Sequence, residues 1–94
     1  MLIIAGHLVV AETDRDTYVA ACLPIVEAAW SAPGCLDFSI TADTVNTTHV
    51  RVFERWEDEE KLLAFRDSGP DGGPEMTVVD ADMKRYVISS VGDP

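Results

Sequence analysis

Two histidines are the side chains of this sequence that titrate near neutral pH without a large shift, and His7 is the better candidate for a general base. It lies in the middle of an apolar segment from Leu2 to Ala11, whereas His49 follows a polar stretch. A base in such a dry setting can remove a proton from a hydroxyl group or an activated carbon. The competing interpretation of His7 is a core histidine held by structural hydrogen bonds, and His49 is typical of a surface residue.

Three alternating residues, Arg51, Phe53 and Arg55, would share one face of a strand. Two guanidinium groups around an aromatic ring can hold an anionic oxygen and stack on a planar molecule. The competing interpretation is that these arginines pair with Asp37, with Glu54 or with a carboxylate of a partner chain. The other face of the strand would carry Val50, Val52, Glu54 and Trp56. Which face meets the helices stays open, because a slip of one residue in the hairpin exchanges the two.

The sequence also supplies aromatic side chains for an apolar pocket that a planar small molecule can enter. They are Trp30, Phe38, Trp56, Phe65 and Tyr86. The competing interpretation is plain core packing, because aromatic residues are common in protein cores. Asp37 and Ser39 are weaker polar candidates for the same pocket. The segment from Gly69 to Pro74 has the composition of a mobile lid or of an ordinary connection.

Composition and charge limit the classes of function. With 94 residues, 47% of them hydrophobic and 26% charged, the chain is expected to form one folded domain over residues 1–94. Its net charge of −10 has the wrong sign for binding nucleic acid or an anionic membrane. Cys22 and Cys35 match neither a redox motif nor a zinc motif. We interpret both as buried thiols, with a disulfide or a redox role as the alternative.

Several common catalytic and targeting motifs are missing from the sequence. It contains no nucleotide-binding glycine loop, nucleophile elbow or zinc-protease motif, and its histidines and carboxylates are too dispersed for a metal cluster. We therefore expect no metal, flavin or nicotinamide cofactor. No stretch approaches the roughly 20 apolar residues of a membrane span. The apolar start from Met1 to Ala5 lacks the basic residues of a secretory signal, so the expected location is the cytoplasm.

Hydrophobic periodicity predicts a strand and then a long helix at the start of the chain. Leu2 to Ala11 is apolar at both alternating sets of positions, as in a strand that is covered on both faces. Thr13 and Asp16 resemble a capping box, and helical periodicity continues to Ala32. Pro24 falls on the polar side of that helix, where a missing N–H group and a bend cost least.

The rest of the sequence predicts a hairpin, a second helix and a last strand. The hairpin strands are residues 35–42 and 49–56, and Asp58 is placed to cap the second helix. A short helical turn is expected at residues 75–80 and the last strand at residues 83–91. The order β-α-β-β-α-β predicts an α+β, ferredoxin-like split βαβ fold, with an antiparallel sheet and both helices on one face. The first strand is apolar on its second face as well, which predicts a homodimer with the two sheets packed face to face.

Two segments of the sequence resemble one known family. They are Ala32 to Phe38 (Ala-Pro-Gly-Cys-Leu-Asp-Phe) and Phe53 to Glu60 (Phe-Glu-Arg-Trp-Glu-Asp-Glu-Glu). They are similar to a strand start and a strand-to-helix junction of antibiotic biosynthesis monooxygenase (ABM) domains. The resemblance implies a dimeric α+β barrel and a cofactor-independent monooxygenase that uses O2 on a hydrophobic aromatic, quinol-like or polyketide-type molecule. It also implies two alternatives on the same fold, a non-redox isomerase or cyclase and a non-catalytic ligand-binding dimer.

The sequence departs from the patterns of two branches of that family. Quinol-oxidising relatives often carry a histidine in the second helix, which falls here at Phe65, and another shortly after it, which has no counterpart. Haem-degrading relatives carry an asparagine near the position of His7, a tryptophan at that of Phe65 and a later histidine that is also missing. The resemblance therefore implies no haem site, and His7 is the expected base. The expected substrate-binding residues are Phe38, Arg51, Phe53, Arg55, Trp56, Phe65 and Tyr86.

Overall fold

Three helices and four strands make up the fold in the computed structural model, which describes residues 1–70 and 73–94. In chain order they are β1 (Leu2–Val10), α1 (Arg15–Ala21), α2 (Leu23–Trp30), β2 (Cys35–Ala42), β3 (His49–Trp56), α3 (Glu59–Ser68) and β4 (Val78–Val87). The strands form one antiparallel sheet in the order β2-β3-β1-β4, and the helices lie on one side of it. The predicted α+β ferredoxin-like fold is confirmed.

The pairing of β1 with β3 decides which side chains face the helices. Leu2 pairs with Trp56 and Ile4 with Glu54, and side chains that pair directly lie on the same face of a sheet. Val50 and Trp56 are fully buried, so their side of β3 faces the helices. On the opposite side of the sheet, which we call the open face, no helix of the described residues is packed. The open face presents Ile3, Ala5, His7 and Val9 of β1, His49, Arg51, Phe53 and Arg55 of β3, and Asp80, Asp82, Lys84 and Tyr86 of β4.

The first helical segment is divided in two, where the sequence predicts one continuous helix. Cys22 ends α1 and begins α2, and Pro24 is the second residue of α2. Proline has no N–H group to donate back to the preceding turn, but the first turn of a new helix requires none. The predicted capping pair of Thr13 and Asp16 is wrong, because the residue that precedes α1 is Asp14 and its side chain makes no capping hydrogen bond.

The bounds of the last strand also differ from the prediction. β4 begins at Val78, inside the segment 75–80 that was expected to form a helical turn, and it ends at Val87 rather than at Val91. Its length is set by its neighbour, because it pairs along β1 up to the contact of Val78 with Val10. The sequence of β4 alone does not show where its partner strand ends.

A close approach of two backbones requires a glycine in the centre of β1. Gly6 has φ +152 and lies opposite Met83 of β4. A Cβ atom at this position would collide with the backbone carbonyl group of Asp82. Glycine is the residue that tolerates both the positive φ and the short distance.

The core lies between the helices and the sheet in two clusters. The larger cluster contains Leu2, Ile4, Ala29, Phe38, Trp56 and Leu62, and the smaller contains Val10, Tyr18, Cys22 and Val50. The helix α3 begins as predicted, because the Asp58 carboxylate accepts a hydrogen bond from the backbone N–H of Lys61 at 2.9 Å. Within the described part of the chain, none of the helices combines the length and hydrophobicity needed to cross a membrane.

Candidate functional site

A carboxylate lies on the helix side of β3, where the neighbouring side chains on the same face are apolar. Glu54 stands between Val52 and Trp56 in the alternation of the strand. The Trp56 indole Nε1–H donates a hydrogen bond of 3.0 Å to Glu54 Oε1. Burial raises the pKa of Glu54, although this hydrogen bond and the nearby Arg66 guanidinium partly oppose that increase. A carboxylate with a raised pKa is a stronger base than one in water, so it can take a proton from a bound molecule.

Two aromatic side chains line an open cavity in front of this carboxylate. The cavity, which we call the inner chamber, has a volume of about 250 Å³ and is lined by Ile25, Phe38, Glu54, Phe65, Arg66 and Pro70. The rings of Phe38 and Phe65 meet edge to face with centroids 6.0 Å apart, and Phe65 lies 5.3 Å from the Trp56 ring. Flat apolar walls with one acceptor and one donor are suited to a planar hydroxylated molecule.

A second, larger cavity lies between α2 and α3 and adjoins the inner chamber. This outer groove has a volume of about 470 Å³. It is lined by Ala28, Ala32, Pro33, Lys61, Ala64, Phe65, Ser68, Gly69 and Pro70. Phe65 and Pro70 line both cavities, so a molecule that spans the two would pass over these residues. Two members of the predicted lid segment, Asp71 and Gly72, lie outside the described residues.

The structure brings together three of the side chains that the sequence predicted to bind substrate. Phe38 and Phe65 line the inner chamber, and Trp56 contacts Phe65 and holds the carboxylate of Glu54. All four side chains are on the helix side of the sheet. Trp30, which was also considered for the pocket, is 71% exposed and donates a hydrogen bond of 2.8 Å to the backbone oxygen of Phe38.

The other predicted site residues lie on the open face. The His7 ring stacks on that of His49, with centroids 4.1 Å apart and an angle of 7° between the planes. Arg51 forms a 2.7 Å salt bridge with Asp43, so it is ion-paired, but with a carboxylate that the sequence analysis did not single out. The Nε atom of Arg55 is buried and has no hydrogen-bond partner among residues 1–70 and 73–94. The remaining members of this group are Phe53 and Tyr86.

A comparison with curated proteins finds no match. The profile of the antibiotic biosynthesis monooxygenase family matches residues 1–77. The chain belongs to this family.

Solved structures share the whole fold of this family member at low sequence identity. A candidate antibiotic biosynthesis monooxygenase from Deinococcus radiodurans has a TM-score of 0.83 and 17% identity, and the match covers 100% of this chain and 98% of that one. A candidate family member from Nitrosomonas europaea has a TM-score of 0.76 and 14% identity, over 96% and 100% of the two chains. The heme-degrader MhuD from Mycobacterium tuberculosis, solved with two hemes bound in its active site, has a TM-score of 0.68 and 18% identity, over 98% and 100%. At such identities the likeness concerns the fold.

Glu54 is the residue of this family member that the sequence analysis failed to select. It was considered only as a possible partner of the arginines on β3. The signal was present in the alternation of that strand, because a single carboxylate at a position otherwise taken by Val50, Val52 and Trp56 conflicts with a purely structural core.

The two cysteines of this family member are free thiols. Cys22 is buried as predicted, and Cys35 is half-buried with its Sγ 3.6 Å from the backbone oxygen of Asp37. Burial raises the pKa of both thiols, which keeps them protonated and unreactive near neutral pH. In the described part of the chain, no three His, Cys, Asp or Glu side chains are grouped closely enough to hold a metal ion.

Because the pKa of Glu54 is raised, replacing this residue is expected to change the stability of the protein by an amount that depends on pH. An acid whose pKa is higher in the folded than in the unfolded state binds more protons when folded, so its contribution to stability falls as pH rises between the two values. Glu54→Gln removes this titration and keeps an oxygen that can accept the Trp56 hydrogen bond. We expect the free energy of unfolding of the variant, relative to wild type, to increase from about pH 4 to about pH 8.

Urea unfolding of both proteins across this pH range measures the difference. The control is Glu57→Gln, which makes the same chemical change at an exposed position three residues further along the chain. Its difference from wild type should stay nearly constant over the range. An equally constant difference for Glu54→Gln would contradict a raised pKa at that position.

Proposed function

We propose that this protein is a cofactor-independent monooxygenase that acts with O2 on a hydrophobic hydroxylated aromatic molecule of the quinol or polyketide type. The observation that carries the proposal is the carboxylate of Glu54, whose pKa is raised by burial beside the aromatic walls of the inner chamber. Membership of the antibiotic biosynthesis monooxygenase family supports the same class of reaction. In such a reaction the electron-rich substrate itself is the reductant, so the protein has to supply a base, a dry cavity and donors for the anion.

The reaction can be balanced with an anthrone as the substrate. Glu54 takes one proton from the CH2 group to leave a delocalised anion, whose charge the Arg66 guanidinium stabilises from the wall of the chamber. The anion reduces O2 and the new C–O bond gives a peroxide anion. Protonated Glu54 returns its proton to this peroxide, which loses water to form the carbonyl group of the quinone. One oxygen atom thus enters the product, and the other leaves as water.

Oxygen uptake by chelator-treated protein tests the proposal over a panel of quinols, anthrones and hydroxynaphthalenes. We expect uptake that depends on substrate and is strongly reduced in Glu54→Gln. Product formation that does not require O2 would overturn the proposal in favour of a non-redox isomerase or cyclase, because a buried carboxylate also catalyses enolisation. Thermal stabilisation by these ligands without any product would overturn it in favour of a non-catalytic binding protein.

His7 is the base that the sequence predicts, and its role stays a prediction. It lies on the open face with His49 stacked on its ring, whereas Glu54 lies on the helix side of the same sheet. Four of the predicted substrate-binding residues lie on the same face as His7, and their roles stay predictions as well: Arg51, Phe53, Arg55 and Tyr86. The rates of His7→Ala and Glu54→Gln therefore show which side of the sheet carries the reaction.

We also propose that two copies of the chain associate through their open faces, in the cytoplasm. The proposal is supported by the apolar side chains that β1 directs to this face without a covering helix, Ile3, Ala5 and Val9. Covering such a surface is favourable because apolar area is removed from water. We expect sedimentation to give twice the mass of one chain, and an Ala5→Asp variant to sediment as one chain. A wild-type protein that sediments as a stable monomer would contradict the proposal.

A further inference from the structure

Among the residues that the structure describes, the lining of the outer groove contains one charged side chain, and the others are apolar or small. Lys61 of α3 is that side chain, and its neighbours in the groove include Ala28, Ala32 and Ala64. The volume of about 470 Å³ lies in the range of small-molecule sites. A groove of this kind binds a ligand with a flat apolar body and a single anionic group more readily than a neutral or a cationic one.

The position of Lys61 is set by the packing of its aliphatic chain against a glycine. Gly34, in the turn before β2, has φ +80 and no side chain. A Cβ atom there would collide with Cβ and Cγ of Lys61. The backbone N–H of Lys61 is in turn held by the carboxylate of Asp58 at 2.9 Å. The lysine is therefore half-buried at a defined place, in contrast to a freely moving surface lysine.

The two adjoining cavities each have one cation in their lining, and Lys61 is the one that can pair with a bound anion. Arg66, the other cation, lines the inner chamber with Glu54, and the two charges act on each other. Within residues 1–70 and 73–94, Lys61 has no acidic side chain beside it in the lining of the groove and forms no salt bridge. The chain as a whole has a net charge of −10 and repels anions, so an anionic ligand requires a local cation such as this one.

We propose that the substrate is a planar hydroxyaromatic carboxylate, whose hydroxylated ring enters the inner chamber and whose carboxylate pairs with Lys61 in the outer groove. This inference rests on the proposed function and names its substrate class. Phe65 lines both cavities and lies one helical turn after Lys61 on α3. Side chains with this spacing are about 5–6 Å apart at their Cβ atoms, so Lys61 lies beside the residue that the two cavities share. A fused-ring molecule laid across Phe65 would extend from the cavity of Glu54 toward the lysine.

Calorimetric titration with 6-hydroxy-2-naphthoate and its methyl ester tests this proposal on the purified protein. The ester lacks the negative charge of the acid and carries one additional methyl group. We expect the acid to bind about tenfold more tightly than the ester, because a charge-assisted pair with the Lys61 ammonium group is lost in the ester. In Lys61→Met, which keeps the aliphatic chain against Gly34, the acid and the ester should bind with the same Kd. Lys61→Arg should retain the preference for the acid.

The matched control is Lys84→Met, which removes the lysine of β4 on the open face, where it lies opposite Ala5 and forms a salt bridge with Asp82, on the other side of the sheet from the groove. It should bind both probes as wild type does. Equal affinities of wild type for the acid and the ester, no binding of either probe, or a preference that persists in Lys61→Met would overturn the proposal. Oxygen uptake, measured on the same proteins, distinguishes a failure of this inference from a failure of the proposed function. A preference that depends on Lys61, without oxygen uptake, refutes only the monooxygenase, whereas uptake with neutral substrates and no such preference refutes only the carboxylate.

Discussion

Replacing Glu54 by glutamine is expected to lower the rate of substrate-dependent oxygen uptake by about 10²–10⁴-fold, the usual contribution of a general base. Glutamine has nearly the same shape and keeps an oxygen for the Trp56 indole N–H, which donates to Glu54 at 3.0 Å. It cannot accept the proton that leaves the substrate. The loss should therefore appear in kcat, with a smaller change in KM, because the walls of the inner chamber are unchanged.

Two further variants show whether this loss belongs to Glu54 itself. Glu57→Gln makes the same change at an exposed position and should leave the rate unchanged. His7→Ala removes the base that the sequence predicts, on the opposite side of the sheet. If Glu54 is the base, His7→Ala keeps a rate within a few-fold of wild type. A wild-type rate in Glu54→Gln together with a lost rate in His7→Ala would assign the base to His7 instead.

The pH dependence of the wild-type rate gives an independent test of the same assignment. Only the deprotonated carboxylate of Glu54 can accept a proton, so the rate should rise with pH through the raised pKa of this group. The rising limb should disappear from the residual activity of Glu54→Gln. Persistence of the limb in that variant would mean that another group titrates.

Replacing Leu62 by alanine is expected to lower the free energy of unfolding by about 2–5 kcal/mol, the range for large-to-small substitutions in a core. Leu62 of α3 is fully buried in the larger core cluster, where the neighbours include Ile4 of the sheet and Ala29 of α2. Its removal leaves a cavity between α2, α3 and the sheet, because the surrounding packed elements relax only partly into the space.

The adjacent residue of α3 supplies the matched control. Leu63 is 43% exposed, so Leu63→Ala makes the same chemical change with much less loss of buried area. We expect a change of less than about 1 kcal/mol for it by urea unfolding. Equal losses for the two variants would contradict the placement of Leu62 in the core and of Leu63 at the surface.

Patterns within single segments predicted most of the architecture. The alternation of Leu36, Phe38 and Ile40 with polar residues identified β2. Asp58 identified the start of α3, where its carboxylate does cap the helix. These features depend on residues close to one another in the chain, because a strand has a period of two and a helix start has unpaired N–H groups. The order of elements then limits the possible sheets to very few.

Contacts between distant segments decided the rest. Pairing with β1, and not the sequence of β3 alone, turned Glu54 toward the helices and Arg55 toward the open face. Pairing with β1 also set the bounds of β4, which the sequence placed too late.

By itself the sequence determined the ferredoxin-like order of elements, the cap at Asp58 and the aromatic residues available for a pocket. Only the tertiary structure decided that Phe38 and Phe65 share a chamber with Glu54 and that His7 lies on the other side of the sheet. The physical reason is the two-residue period of a strand. A shift of one residue in pairing moves every side chain of that strand to the opposite face, and the pairing is set by neighbours far away in the chain.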